Sequence, residues 1–571
     1  MSITLHTKSS DTLILNVSSV ANEITEIEII LNFKQAIIPE KTKIKWNTSA
    51  AGSYMAWSPL EVYMHGLSPN WQKSEAVSRS ACGMPMQCYI SACGENVVTV
   101  SADDVQTPMT IRSGVVEETG ELAWELVLFS ERTEMMTKYR TVLRIDERRI
   151  PYETMIRETA ALWQKEYPPK INPYAFEPVY STWYSYHQQL SPRLTDELKA
   201  AAELGMKTVI IDDGWQTDDN SRGYAYCGTW KVAKSKIPDI KAFVSEVHTI
   251  GMKVMLWYSV PFVGRYSEVW ERFSGNMLYD TNGEYGTLDP RYPQVREYLV
   301  SVYEQAVREW GLDGLKLDFI DWFMFEQESC ISHSDMDILS VEKAVRVLLK
   351  EIYMRLTAIN PEILIEFRQK YVGPVMLTYG NMLRAADCPM DAVTNRIRTV
   401  NLRLTSAQAA VHSDMLMWNY EDSVESAANQ FINILFSVPQ ISVRINELSE
   451  KHYAMLRFYL ALWKRNRKTI TEGTIHALHP EANYTLVYAQ KDGRVVAAAY
   501  GDKLLRLDSQ VNDAVFINGT GTAGLYLETG EKKYSFDIYN CMGRLIERGV
   551  VQQQVEKFPV PVSGVVAVKT V

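Results

Sequence analysis

Several apolar runs in this 571-residue chain stop on residues that can move protons or hold hydroxyl groups. Val209-Ile210-Ile211 ends at Asp212-Asp213, followed by Gly214-Trp215, and Leu315-Lys316-Leu317 ends at Asp318. Met382-Leu383 runs into Arg384-Ala385-Ala386-Asp387, Leu256 runs into Trp257-Tyr258, and an earlier run delivers Trp183 and Tyr184. Cleavage of a glycosidic bond needs this inventory. One carboxylate attacks the anomeric carbon, and a second protonates the leaving oxygen and later activates water. Other polar groups hold hydroxyls, and an aromatic face meets the C–H surface of the ring. Asp318 fits the nucleophile. Lys316 lies two residues earlier, so strand alternation puts both side chains on one face, where its charge favours ionised Asp318. Asp387 fits the acid/base. Asp212 and Asp213 fit hydroxyl acceptors better, because two adjacent acids seldom flank one bond. Taken singly, each Asp also reads as an N-cap and each aromatic as core; convergence on one rim is what favours chemistry.

The elements that must place these residues alternate. The pattern predicts strands over Pro178 to Tyr184, Lys207 to Asp213, Met252 to Tyr258 and Asp313 to Phe319. Further strands follow over Glu362 to Arg368, Met382 to Asp387, Ala410 to Trp418 and Pro439 to Ile445. Amphipathic stretches such as Pro293 to Trp310 and Ile338 to Leu356 lie between them. Eight strands with intervening helices predict a (β/α)8 barrel, whose chemistry sits at the C-terminal ends of its strands. No glycine-rich dinucleotide fingerprint supports a doubly wound sheet.

Length calls for more than one core. Short β-branched segments such as Thr12 to Val17, Glu26 to Leu31 and Lys138 to Ile145 predict a β-sandwich over residues 1–150, followed by a helical linker over 151–174. The barrel is expected over 175–468 and a smaller β-domain over 469–571. The fold class is thus multidomain α/β, with a central (β/α)8 barrel between an N-terminal β-sandwich and a C-terminal β-domain.

The formal net charge of -10, with Lys and Arg scattered among acids, excludes nucleic acid as an expected partner. No apolar stretch approaches the roughly 20 residues that span a bilayer, so no membrane partner is expected. Seven cysteines, Cys330 among them, show neither a disulfide framework nor paired CxxC spacing. The N-terminus shows no signal peptide pattern. A cytoplasmic location is expected, or a periplasmic or secreted one if a leader has been removed.

At these residues the chain resembles the α-galactosidase clan of retaining glycoside hydrolases, particularly family 36 and more distantly family 27. Ile211-Asp212-Asp213-Gly214-Trp215, Gly228-Thr229-Trp230, Gly251-Met252-Lys253, Leu288-Asp289-Pro290 and Gly314-Leu315-Lys316-Leu317-Asp318 carry the likeness in order. The resemblance implies that Asp318 is the nucleophile and Lys316 a sugar-binding neighbour. It implies that Asp212 and Asp213 grip the 4- and 6-hydroxyls of a galactose-like ring walled by Trp257 and Trp215. Trp183 and Tyr184 are further candidates for sugar contact. Family 36 usually carries a Cys and a glycine-rich run before an Arg-x-Asp. Here Phe367-Arg368-Gln369 and then Arg384-Ala385-Ala386-Asp387-Cys388-Pro389-Met390-Asp391 stand instead, closer to family 27. Arg368 and Arg384 are expected to bind substrate, and Asp387 to donate the proton, with Asp391 the second candidate. Ser259-Val260-Pro261 also replaces the usual acidic continuation of the third strand.

The expected activity is hydrolysis of terminal α-linked galactose with retention, on an α-galactoside or related oligosaccharide, without a cofactor or metal. The alternatives are an α-N-acetylgalactosaminidase or transglycosylase of the same clan, and a non-catalytic carbohydrate-binding protein. His187, His248, His333 and His412 lack the spacing of a metal-dependent hydrolase. The resemblance also implies a homo-oligomer.

Overall fold

The structure, a computed structural model, describes residues 4–6, 12–62, 66–191, 193–281, 283–324, 333–368, 370–406 and 408–571. Two six-stranded antiparallel sheets formed between Thr4 and Asp146 pack face to face, with Trp46, Tyr89 and Trp124 in their shared core. The helix Tyr152–Glu166 leads from them into an eight-stranded parallel sheet. Its strands are β1 (Val179–Ser181), β2 (Thr208–Ile211), β3 (Lys253–Ser259), β4 (Gly314–Asp318), β5 (Leu364–Phe367), β6 (Met382–Arg384), β7 (Ala410–His412) and β8 (Gln440–Ile441). β1 pairs with β8, and the bridges His412 to Val438 and Leu416 to Ile441 join β7 to β8, closing the barrel.

Alternation along the strands divides the barrel interior into levels. Val179, Ile210, Met255, Leu364, Met382 and Ala410 form an apolar cluster at the floor. Two residues further along most of these strands come Asp212, Trp257, Glu366, Arg384 and His412, with Lys316 two residues beyond Gly314 on β4. Another step reaches Ser259, Asp318 and Arg368. Gly314 has no room for a side chain: a Cβ there would meet Leu364 O at 2.5 Å and Met255 Cγ at 2.8 Å. The floor is thus sealed by packing, and polar groups accumulate towards the open end.

After β3 the chain makes an excursion before the helix Pro293–Trp310: a small antiparallel sheet of Phe262–Gly264, Met277–Asp280 and Tyr285–Leu288. Phe262 stacks on Phe319 at a centroid distance of 4.8 Å and touches Tyr285 at 4.3 Å. The long helix Glu450–Glu472 leads out of the barrel to a seven-stranded and a three-stranded sheet between Thr474 and Thr570. No described helix is long and apolar enough to cross a membrane.

The sandwich contributes to the barrel rim through Arg79. Its buried guanidinium pairs with Glu342 at 2.8 Å and donates to the carbonyls of Asp321 at 2.7 Å and Phe323 at 2.8 Å. Gly83 N donates to Lys370 O at 2.9 Å. One edge of the sandwich therefore holds the turns that follow both β4 and β5.

Candidate active site

Asp318 closes β4 and is buried. Its Oδ2 accepts the indole N–H of Trp257 at 2.7 Å. Its Oδ1 accepts Arg368 Nε–H at 2.6 Å and the N–H of Phe319 at 2.7 Å, and the Tyr371 hydroxyl lies 3.2 Å away. Burial alone would raise this carboxyl, but Arg368 and Lys316 outweigh it and hold Asp318 below the usual carboxylate range. An ionised, oriented carboxylate is what nucleophilic attack requires. Phe319 takes a left-handed backbone, φ 62°, at a steric cost in a non-glycine residue, and this turns the chain sharply after the carboxylate.

Arg368 binds a second carboxylate as well. Its Nη1 lies 2.8 Å from Asp387 Oδ2, and its guanidinium stacks 5.3 Å from the Phe319 ring centre. Asp387 Oδ1 accepts from Arg384 Nη2 at 2.8 Å. Burial pushes Asp387 up, yet Arg368 and Arg384 together hold it well below the normal range. Asp387 is also the open one of the pair, with 40 % of its side chain exposed against 3 % for Asp318.

Asp212 pairs with Lys316 at 2.6 Å, both buried, and its other oxygen accepts the N–H of Asp213 at 2.9 Å. Asp213 is held by the amides of Gln188 and Gln216, each at 2.7 Å. Burial dominates these bonds and pushes Asp213 up to about 6.

The structure brings Asp212, Asp213, Trp257, Lys316, Asp318, Arg368 and Asp387 to one end of the barrel. Five expected residues sit differently. Trp215 is fully buried behind Trp257, donating its indole N–H to the Trp257 carbonyl at 2.8 Å, so it supports that ring and has no face for a sugar. Arg384 is also fully buried; it grips Asp387 and Asp414 and is 3.5 Å from Glu366, so it orients carboxylates without facing open space. Asp391 caps the helix Ala392–Thr405, taking Thr394 N–H at 3.0 Å and its hydroxyl at 2.6 Å, which makes it a helix-capping group. Trp183 and Tyr184 belong to a helical turn after β1, where the Tyr184 hydroxyl donates to Asp414 at 2.9 Å and Trp183 packs edge-on against His187.

Sequence reasoning did not single out Tyr371, Gln188, Gln216, Tyr224, Asp321 or Asp414. Asp414 carried a signal, since it lies two residues past β7 as Asp318 lies at the end of β4. Tyr224 stacks on Trp257 at 6.3 Å from a loop with no local signature. Asp321 lies three residues past Asp318 and is pushed up to about 6, by burial first and then by the Asp318 charge. Gln369 and Cys330 lie outside the described residues. Among the described residues, no three His, Cys, Asp or Glu side chains are grouped to hold a metal ion.

The Melibiase family model matches residues 151–399. The α-galactosidase AgaA of Geobacillus stearothermophilus is 27% identical over 105 residues, 18% of this chain and 14% of that protein. A type A blood α-D-galactosamine galactosaminidase of Flavonifractor plautii is 26% identical over 150 residues, 23% of this chain and 13% of its own. The aligned segments thus span a small part of these curated relatives. In three dimensions, the α-galactosidase from Lactobacillus brevis superposes with a TM-score of 0.64 at 14% identity, covering 100% of this chain and 85% of that one. AgaA, a GH36 α-galactosidase, superposes with a TM-score of 0.64 at 13% identity, covering 100% and 87%. The family match lies over the barrel segment that carries the Asp318 cluster: over residues 151–399 this chain is similar to the melibiase family, and its three-part fold is the one seen in the α-galactosidase structures it superposes on.

Proposed function

We propose that the protein is a retaining α-galactosidase that removes terminal α-linked galactose by double displacement. The observation that carries this reading is the pair Asp318 and Asp387, one buried and ionised, the other open to solvent, both touching the guanidinium of Arg368. Retaining enzymes hold their two carboxyls roughly 5 Å apart, against about 6.5–9.5 Å in inverting ones; sharing one guanidinium supports the closer spacing.

In the first step an Asp318 oxygen attacks the anomeric carbon as the bond to the leaving oxygen breaks and Asp387 gives that oxygen a proton. The product is a galactosyl ester on Asp318. Water then loses a proton to Asp387 and attacks the same carbon, the ester bond breaks, and α-galactose leaves with Asp318 restored. Asp387 cannot donate while two arginines keep it ionised, so substrate entry on this reading displaces Arg368 from it. Loss of that partner raises its proton affinity. Asp212, Lys316 and Asp213 are the candidate holders of the ring hydroxyls, and Trp257 is the candidate apolar wall. A buried acceptor left unpaired by the wrong epimer is costly, which supports selection for galactose.

AgaA structures have been solved in complex with raffinose and stachyose; α-galactosyl oligosaccharides of that kind are the substrate class we propose here. The galactosaminidase relative favours one second reading, a 2-acetamido sugar. The free thiols of the described cysteines support a reducing, cytoplasmic location, and the family resemblance supports a homo-oligomer. The test is turnover of an aryl α-galactoside with the product anomer followed by NMR. Initial release of α-galactose is expected; β-galactose would overturn retention, and turnover of only the N-acetyl analogue would establish the second reading.

A further inference from the structure

A cavity of about 310 Å³ opens beside Asp387, between the barrel rim and the N-terminal sandwich. Leu60 and Val62 of the sandwich form its apolar side. Its polar side presents Asp387, Asp321, Lys370 and Arg398. The two cations are unusual in their surroundings, because most arginines near this rim are committed to carboxylates. Arg398 donates from Nη1 to the carbonyls of Ala386 at 2.9 Å and Asp387 at 2.8 Å, and it makes no ion pair with a described residue. Lys370 is exposed and likewise has no described carboxylate within ion-pairing distance.

We infer that this cavity receives the leaving group, and that it selects a leaving group whose far end carries an oxyanion such as a carboxylate, sulfate or phosphate. The inference deepens the proposed function and rests on Asp387 as proton donor, since the group that receives the proton must lie on the Asp387 side of the cleaved bond. The apolar wall accommodates the body of that group, and Lys370 and Arg398 supply charge without first giving up an ion pair. Asp321 opposes an anion when ionised; its raised proton affinity weakens that opposition as pH falls towards 6.

The test compares kcat/KM for 4-carboxyphenyl α-galactoside with that for its near-isosteric neutral partner, 4-carbamoylphenyl α-galactoside. The ratio is measured in the native protein, in Lys370→Gln and in Lys370→Glu at low salt. Comparing ratios between proteins cancels the differing acidities of the two phenols. The ratio should be about fivefold higher in the native protein than in Lys370→Gln, lower again in Lys370→Glu, and compressed by added salt. Equal ratios in the three proteins overturn the inference. Turnover of neither galactoside overturns the α-galactosidase reading, and with it the leaving-group assignment that rests on it. Lys370 is on the surface, so the variants are expected to fold, which circular dichroism checks.

Discussion

Arg368 donates to Asp318 at 2.6 Å through Nε and meets Asp387 at 2.8 Å through Nη1. The two carboxylates therefore share one cation, and Arg384 adds a second positive charge on Asp387. Replacing Arg368 by Met should raise the proton affinity of both. The acid limb of kcat/KM, which reports loss of ionised Asp318 in the free enzyme, should move to higher pH. A pH–rate profile of an aryl galactoside checks this; a profile of unchanged shape at reduced height would leave Arg368 a packing role only.

Asp318→Asn should leave a folded protein with kcat/KM lowered by at least about 10³-fold. Azide supplied to Asp318→Gly should restore turnover and yield the β-galactosyl azide, because the anion enters from the side vacated by the carboxylate. Wild-type rates in Asp318→Asn would eliminate it as nucleophile.

Asp387→Ala should be penalised by leaving-group basicity. Dinitrophenyl α-galactoside, which needs little protonation, should lose far less in the first step than an oligosaccharide such as raffinose. Asp391→Ala should instead cost about 1 kcal/mol of stability as a lost N-cap, with kcat/KM within about twofold of the native value. Urea unfolding and the same assays separate the two. The reverse pattern would exchange their roles.

The buried pair Lys316 and Asp212 gives a stability test. Lys316→Met leaves the Asp212 carboxylate buried without its cation and should cost roughly 3–5 kcal/mol. Adding Asp212→Asn should recover part of that loss, a coupling read from a double-mutant cycle. Additive losses would show the contact to be weak.

Asp213 sets a pH dependence of the opposite sign to Asp318. Burial pushes its carboxyl up to about 6 in the folded protein, above the ordinary aspartate range near 3.8. The group therefore favours folding fully below pH ~4, and that contribution is lost as pH rises through about 6. Asp213→Asn should raise stability at pH 7 by on the order of 1–3 kcal/mol, with weaker galactoside binding. Thermal unfolding between pH 5 and 8 measures the first effect, and KM the second.

The barrel was legible because parallel strands buried on both sides read as short apolar runs between amphipathic helices. Strand ends were harder. The run Pro178 to Tyr184 reads as β throughout, yet β1 stops at Ser181 and Trp183 begins a helical turn. The Ser442 hydroxyl, from the far end of the barrel sequence, accepts the N–H groups of Tyr184 at 2.9 Å and Ser185 at 3.0 Å and fixes that turn. Lys316 and Asp318 could be assigned to one face because two-residue alternation is local. Arg384 could not be recognised as buried, since its surroundings depend on Asp414 and Glu366 from neighbouring strands. Trp215 gave no sign of lying behind Trp257 for the same reason: the contact is made across β2 and β3. Asp391 followed the common fate of an Asp ahead of a helix.

The small sheet of residues 262–288 carries Phe262 and Tyr285 up to the ring of Phe319, yet among the described residues its strands pair only with one another. Its hydrogen-bond ladders are independent of those that close the barrel. The consequence is evolutionary: such an insert can be lengthened, shortened or exchanged between relatives as a cassette, redrawing the aromatic surroundings of the nucleophile while the floor and its eight strands stay as they are.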